Sequence, residues 1–149
     1  MNISLSNRQK KLSIKSVRVK AKAKAILNAL GYPEGELSLV LVDDAAIAVL
    51  NQQYLNREGA TNVISFPMQE GPHGQVNPNL LGDVVISVET AMRQAESGGL
   101  APEEMLDFYL IHGILHLVGY DHEGPADEAA LMEAKTREIW RTMGYPELD

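Results

Sequence analysis

An α+β domain is what the sequence predicts, on three observations. Apolar runs of strand length at 37–42, 62–68 and 82–87 are interleaved with segments whose apolar residues recur three and four apart. The order is irregular, neither a strict strand–helix alternation nor a single type. It therefore points to one small mixed sheet of about four strands packed with about five helices. The third observation is size: 149 residues, 45% hydrophobic and 22% charged, suffice for one core but not for two ordinary ones, so residues 1–149 form a single domain.

The elements follow in order. Ile3 and Leu5 alternate with Ser4 and Ser6 as a short first strand. Val19, Ala23, Ile26, Leu27 and Leu30 share one helical face, and Gly31 with Pro33 ends that helix. The run 37–42 is apolar enough for a strand covered on both faces. Asp43 is an N-cap candidate for a helix whose apolar stripe is Ile47, Leu50, Tyr54 and Leu55. A strand over 62–68 closes at Pro67, and the turn formers Gly71, Pro72, Gly74 and Pro78 mark a loop. Another buried strand covers 82–87. A helix over 88–97 follows, broken by Gly98 and Gly99. Pro102 opens a helix of roughly seventeen residues that is apolar on most sides, which places it in the middle of the domain. Gly119 stands where a left-handed residue would stop it. The last helix spans 125–143, with Asp127 and Glu128 in its first turn and Arg141 near its end, matching the macrodipole.

Charge and composition narrow the function classes. There is no cysteine, so disulfides and thiolate ligands are excluded; this suits a reducing compartment. No apolar run approaches the ~20 residues of a membrane helix, and residues 1–6 lack the apolar core of a secretory signal. The net charge of −7 is unevenly spread. Residues 1–33 hold eight basic groups and no acid, whereas the remainder holds five basic groups against twenty acids. A basic segment on an acidic body suits a polyanion, although a solvated lysine-rich helix face has the same composition. Lys15, Arg18 and Lys22 sit three and four apart and would form one stripe able to contact phosphates.

The chemistry concentrates in His112-Gly113-Ile114-Leu115-His116-Leu117-Val118-Gly119-Tyr120-Asp121-His122. Positions i and i+4 lie on one helix face, so His112 and His116 can share an ion. Gly119 gives the backbone freedom to turn, and His122 can return to complete a set of three imidazoles. Three neutral nitrogen ligands with one open position is the arrangement of a catalytic zinc, one per chain. Two histidines in an apolar helix with no such partner would cost desolvation. His73, in the Gly/Pro loop, has no such company and reads as a surface residue.

The spacing H-x-x-x-H-x-x-G-x-x-H is that of the metzincin metalloproteases, so the helix is zincin-like. Those enzymes place Glu directly after the first histidine as general base. Here that position is Gly113, which disfavours peptide hydrolysis.

The same residues, from His112 to His122, resemble the signature of the YbeY-type endoribonucleases, bacterial ribosomal-RNA maturation factors. Thr61-Asn62-Val63-Ile64-Ser65-Phe66-Pro67 and Leu81-Gly82-Asp83-Val84-Val85-Ile86-Ser87 are similar to two further segments of that family, in the same order. The resemblance implies a zinc-dependent, single-strand-specific endoribonuclease of the cytoplasm. It would act on small-subunit ribosomal RNA in 3′-end maturation and in ribosome quality control, with the small ribosomal subunit as partner. The family usually has Tyr-Arg ahead of the Thr-Asn-Val strand. This chain has Tyr54-Leu55, and the nearest basic group, Arg57, is the candidate for substrate contact. Asn62 and Ser65 are candidate cleft residues by analogy with the strand beside the metal helix in zincin-like enzymes. Asp121 is either a partner orienting a histidine or a turn residue. Asp83 is expected to satisfy backbone groups rather than face the site. Two other classes fit the residues: a non-catalytic, zinc-stabilised ribosome-assembly protein, and a zinc hydrolase of another substrate.

Overall fold

The structure is a computed structural model that describes residues 2–68, 79–120 and 126–146. Among the described residues, four strands and five helices follow in the order β1 (Ile3–Asn7), α1 (Ser16–Ala29), β2 (Glu36–Val42), α2 (Asp44–Leu55), β3 (Val63–Pro67), β4 (Leu80–Ser87), α3 (Val88–Gly98), α4 (Pro102–Leu117) and α5 (Ala126–Thr142). The strands form one mixed sheet in the order β1-β2-β4-β3. β1 and β4 flank β2 in parallel, with Leu39 opposite both Leu5 and Val84. β3 is an antiparallel edge, with Ser65 opposite Val84. The α+β class, the strand number and the helix number are those the sequence predicts.

The alternation of β2 and β4 distributes the core between two faces. Leu37, Leu39 and Leu41 of β2 and Val84 and Ile86 of β4 pack against α1, α3, α4 and α5. Val42, Ile64 and Val85 face the other way, against Ile47 of α2. α4 is buried on most sides, and it touches β3, β4, α1, α3 and α5. An amphipathic surface helix could not sit there without leaving polar side chains dry.

Two expectations are corrected. The first is the apolar stripe of α2, which is narrower than its sequence suggests. Asp43 caps the helix, its carboxylate accepting from the Ala46 N–H at 2.9 Å, and Ile47 is buried. Tyr54 and Leu55, however, are 64% and 44% exposed. Tyr54 makes an edge-on contact with Phe66, with centroids 5.3 Å apart, and Leu55 turns to the cleft described below.

The second is the basic stripe. Arg18 reaches Asp107, which is fully buried on α4, through hydrogen bonds of 2.8 and 3.3 Å. The Tyr145 hydroxyl donates to the same carboxylate. Lys22 lies 5.2 Å from the centroid of the Tyr145 ring. Two of the three cations expected to meet phosphates are therefore engaged within the fold. A buried carboxylate needs compensation, and α1 supplies it.

Candidate active site

One cleft among the described residues lies between α4 and the edge strand β3. Its volume is about 610 Å³, and its walls include Leu55, Arg57, Asn62, Ser65, His112, His116, Tyr120 and Glu128. The two histidines owe their place to helical spacing on a buried helix. From 109 to 117 every position of α4 is buried except 112 and 116. The rings stand on successive turns, with centroids 4.8 Å apart and planes at 72°.

α4 then stops at the edge of the cleft. Val118 is its C-cap, and Gly119 follows at φ +105°. The Gly119 N–H donates to the His116 carbonyl at 3.2 Å and the Tyr120 N–H to the Leu115 carbonyl at 3.0 Å. This is the Schellman pattern, and it turns the chain directly after His116. The glycine expected to end the helix does so. His122 and Asp121 lie outside the described residues, as do His73, the loop 69–78 and the start of the last helix at Pro125.

The close seating of α4 on the sheet rests on Gly113. A Cβ at this position would stand 2.6 Å from Val84 Cγ1 and 3.2 Å from Val63 Cγ2. Position 113 therefore faces the sheet, with no room for a side chain. The Gly113 carbonyl accepts a hydrogen bond from the Ser65 hydroxyl at 2.8 Å, which ties β3 to α4 directly. Gly82 serves the same closeness from β4. At φ +139° its missing Cβ would fall 2.2 Å from the Phe66 carbonyl oxygen.

Of the residues expected at the site, His112, His116, Arg57, Asn62 and Ser65 all line this one cleft. Asn62 also shapes the backbone, its side-chain oxygen accepting from the Val63 N–H at 2.7 Å. Tyr109, one turn before His112, is buried. Burial pushes its phenol up, while the Asn62 side chain and the Arg93 charge pull the other way. Asp83 is not among the cleft residues. It borders grooves on the α2 side of the sheet. Sequence reasoning passed over Leu55, Tyr120 and Glu128 as cleft residues. Glu128 carries the ordinary signature of a first-turn acid, so only the approach of α5 to the cleft reveals it.

The donors fit a divalent ion as far as they are described. Two imidazoles share one helix face at the rim of a cleft, which is how nitrogen ligands of zinc are presented. Among the described residues no group of three His, Cys, Asp or Glu gathers to hold a metal, and the third imidazole of the motif, His122, lies outside them. Nor is any helix among them long and apolar enough to cross a membrane.

Fold and cleft define a class: a small mixed α+β domain in which a buried helix presents two histidines beneath an antiparallel edge strand. The chain belongs to the YbeY endoribonuclease family, whose description, Endoribonuclease YbeY, matches residues 4–144. It is 50% identical over 141 residues to an endoribonuclease YbeY of Geobacter metallireducens and to one of Geobacter sulfurreducens, covering 94% of both chains in each case. Identity to the endoribonuclease YbeY of Syntrophus aciditrophicus is 44% over 148 residues, covering 98% of this chain and 92% of that one. The solution structure of a Thermotoga maritima protein superposes with a TM-score of 0.58 at 22% identity, over 95% of this chain and 91% of that one. The likeness extends to the fold.

Proposed function

We propose that this chain is a metal-dependent endoribonuclease that cuts single-stranded RNA, with one zinc held by His112, His116 and His122. In the cell it would act in the cytoplasm on small-subunit ribosomal RNA, in 3′-end maturation and ribosome quality control. The observation that carries the reading is the convergence of His112, His116, Arg57, Asn62 and Ser65 on a single open cleft, in a chain whose relatives are named endoribonucleases.

When bound, zinc supplies Lewis acidity for a phosphoryl oxygen and acidifies water from a pKa of 15.7 towards about 7. The chain's own groups do the rest. Arg57, in the wall of the same cleft, carries the planar guanidinium suited to a phosphate. Asn62 and Ser65 hold β3 in register above the histidines, through the Val63 N–H and the Gly113 carbonyl. A cleft open to solvent along an edge strand admits a flexible single strand more readily than a duplex. The side chain that peptide hydrolysis would need after the first histidine has no space at position 113.

The experiment is direct. Purified, zinc-loaded protein is incubated with single-stranded and duplex RNA, with and without chelator, beside the His112→Ala/His116→Ala variant. The expected result is cleavage of the single strand alone, lost on chelation and in the variant, with zinc falling from one per chain. Equal metal content and equal cleavage in the variant would refute the reading. Binding without cleavage would point to the non-catalytic assembly protein.

A further inference from the structure

A hydrolytic cleft of this kind needs a group that accepts a proton from the attacking water, and α4 cannot supply it. The residue after His112 is glycine, and any side chain there would run into Val84 and Val63 rather than into the cleft. The acceptor must therefore come from another element. Among the described lining residues, the ionisable side chains are Arg57, His112, His116, Tyr120 and Glu128. An arginine offers donors and no acceptor, and a phenol is a far weaker base than a carboxylate. The two histidines are the candidate ligands. Glu128 is the one carboxylate in this set.

Its position is a consequence of how α5 packs. Met132, Thr136, Ile139 and Trp140 are the buried residues of α5, and Met132, Ile139 and Trp140 belong to the core that surrounds α4. Glu128 is four residues before Met132, on the same helix face. The buried face of α5 thus continues, one turn beyond the last core contact, into the cleft wall, where Glu128 is exposed. The anchor is firm. Trp140 is 1% exposed, and its indole N–H donates to the Pro146 carbonyl at 2.7 Å.

We propose that Glu128 is the general base of the reaction, replacing from α5 the carboxylate that zincin-like enzymes carry on the metal helix. This rests on the endoribonuclease reading given above. As the water oxygen bonds to phosphorus, its proton passes to the Glu128 carboxylate. The bond from phosphorus to the departing ribose oxygen breaks on the opposite side, that oxygen takes a proton from solvent water, and Glu128 returns its own to solvent. A phosphodiester and water become a phosphomonoester and an alcohol, and Glu128 is regenerated.

The test compares wild type, Glu128→Gln, Glu128→Asp and the neighbouring Asp127→Asn, each zinc-loaded, on one single-stranded RNA. The measurements are kcat, KM, RNA dissociation constant by anisotropy under chelation, zinc per chain and melting temperature. Positioned general bases contribute roughly 100- to 10,000-fold, and Glu128→Gln is expected to lose kcat in that range. Its KM and dissociation constant should stay the same or fall, because removing a negative charge eases the approach of phosphate. Zinc content and melting temperature should match wild type. Glu128→Asp should keep part of the rate, and Asp127→Asn all of it. Glu128→Gln cleaving at the wild-type rate overturns the proposal. So does loss of zinc in that variant, which would make Glu128 a ligand, or an equal loss in Asp127→Asn, which would make the effect one of general charge. If zinc-loaded wild type itself fails to cut RNA, the endoribonuclease reading fails instead.

Discussion

Replacing Gly113 by alanine sets two effects against each other, and the structure decides the sign. In an ordinary helix interior the change is favourable by about 0.8–1.0 kcal/mol, since alanine loses less backbone entropy. At this position the new methyl would stand 2.6 Å from Val84 Cγ1 and 3.2 Å from Val63 Cγ2. Valine is stiff about its first side-chain torsion, and β4 is held between β2 and β3, so neither neighbour can swing aside. α4 must lift from the sheet instead. Overpacking of a close-packed interior costs about 1–3 kcal/mol, and a contact this short belongs at the upper end. The net expectation is a loss of about 2 kcal/mol, or roughly 4–8 °C in Tm for a chain of this size. Urea unfolding of the chelated protein measures it without the added stability of bound metal. Val84→Ala removes the obstructing methyls, so the Val84→Ala/Gly113→Ala double variant should be more stable than the sum of the single losses. A Gly113→Ala protein more stable than wild type would refute the reasoning, because it would mean that α4 has slack above β4.

Arg18→Leu leaves the fully buried Asp107 with only the Tyr145 hydroxyl. Breaking a buried pair costs about 3–5 kcal/mol, and because the Arg18 side chain is 32% exposed the urea-measured loss should fall below that range, with much of it recovered in Arg18→Leu/Asp107→Leu. For Asp44, burial pushes its carboxyl up, but hydrogen bonds from Arg93, Ser87 and Thr90 prevail and bring it down from 3.8 to about 2. Its contribution is complete above the unfolded value and is lost as pH falls from about 4 towards 2. Asp44→Asn should flatten that part of the acid unfolding curve. Burial, followed by the nearby Asp107, raises Tyr145 from 10.0 to about 12. Stability held below pH 10 is therefore lost as pH rises through 10 to 12, and a Tyr145→Phe curve that still falls there by the same amount would contradict this. Ser65→Ala removes the tie between β3 and the Gly113 carbonyl. It should cost about 1 kcal/mol in urea unfolding while leaving zinc content intact.

Most of the fold is legible because the strongest signals are local. The apolar runs 37–42 and 82–87 lie within the two central strands, β2 and β4, and central strands must be apolar on both faces. α4 betrays its buried place by being apolar all round, and Gly119 marks its end. Local patterns mislead where a partner is distant in sequence. Arg18 and Asp107 are 89 residues apart. Nothing in α1 separates a cation that crosses to a buried carboxylate from one that faces solvent. Tyr54 and Leu55 continue the helical spacing of Ile47 and Leu50, but both are exposed in the fold. The site divides in the same way. His112 and His116 declare themselves by spacing on one helix. Glu128 belongs to the cleft only through the angle at which α5 meets α4.

The placement of charge follows from the same packing. α1 rests on β1 and α4, at the sheet edge opposite to β3, so the lysine-rich segment and the cleft lie on different sides of the domain. None of the eight basic residues before position 34 lines the cleft. Two of them, Arg18 and Lys22, are spent on Asp107 and the Tyr145 ring. Arg57 and Glu128 are the oppositely charged side chains among the described residues of the cleft wall. Under the proposed function, an RNA long enough to reach both the cleft and the exposed Lys20 and Lys24 should bind more tightly than a short oligonucleotide confined to the cleft. Its salt dependence should also be steeper, and a comparison of the two by anisotropy measures it.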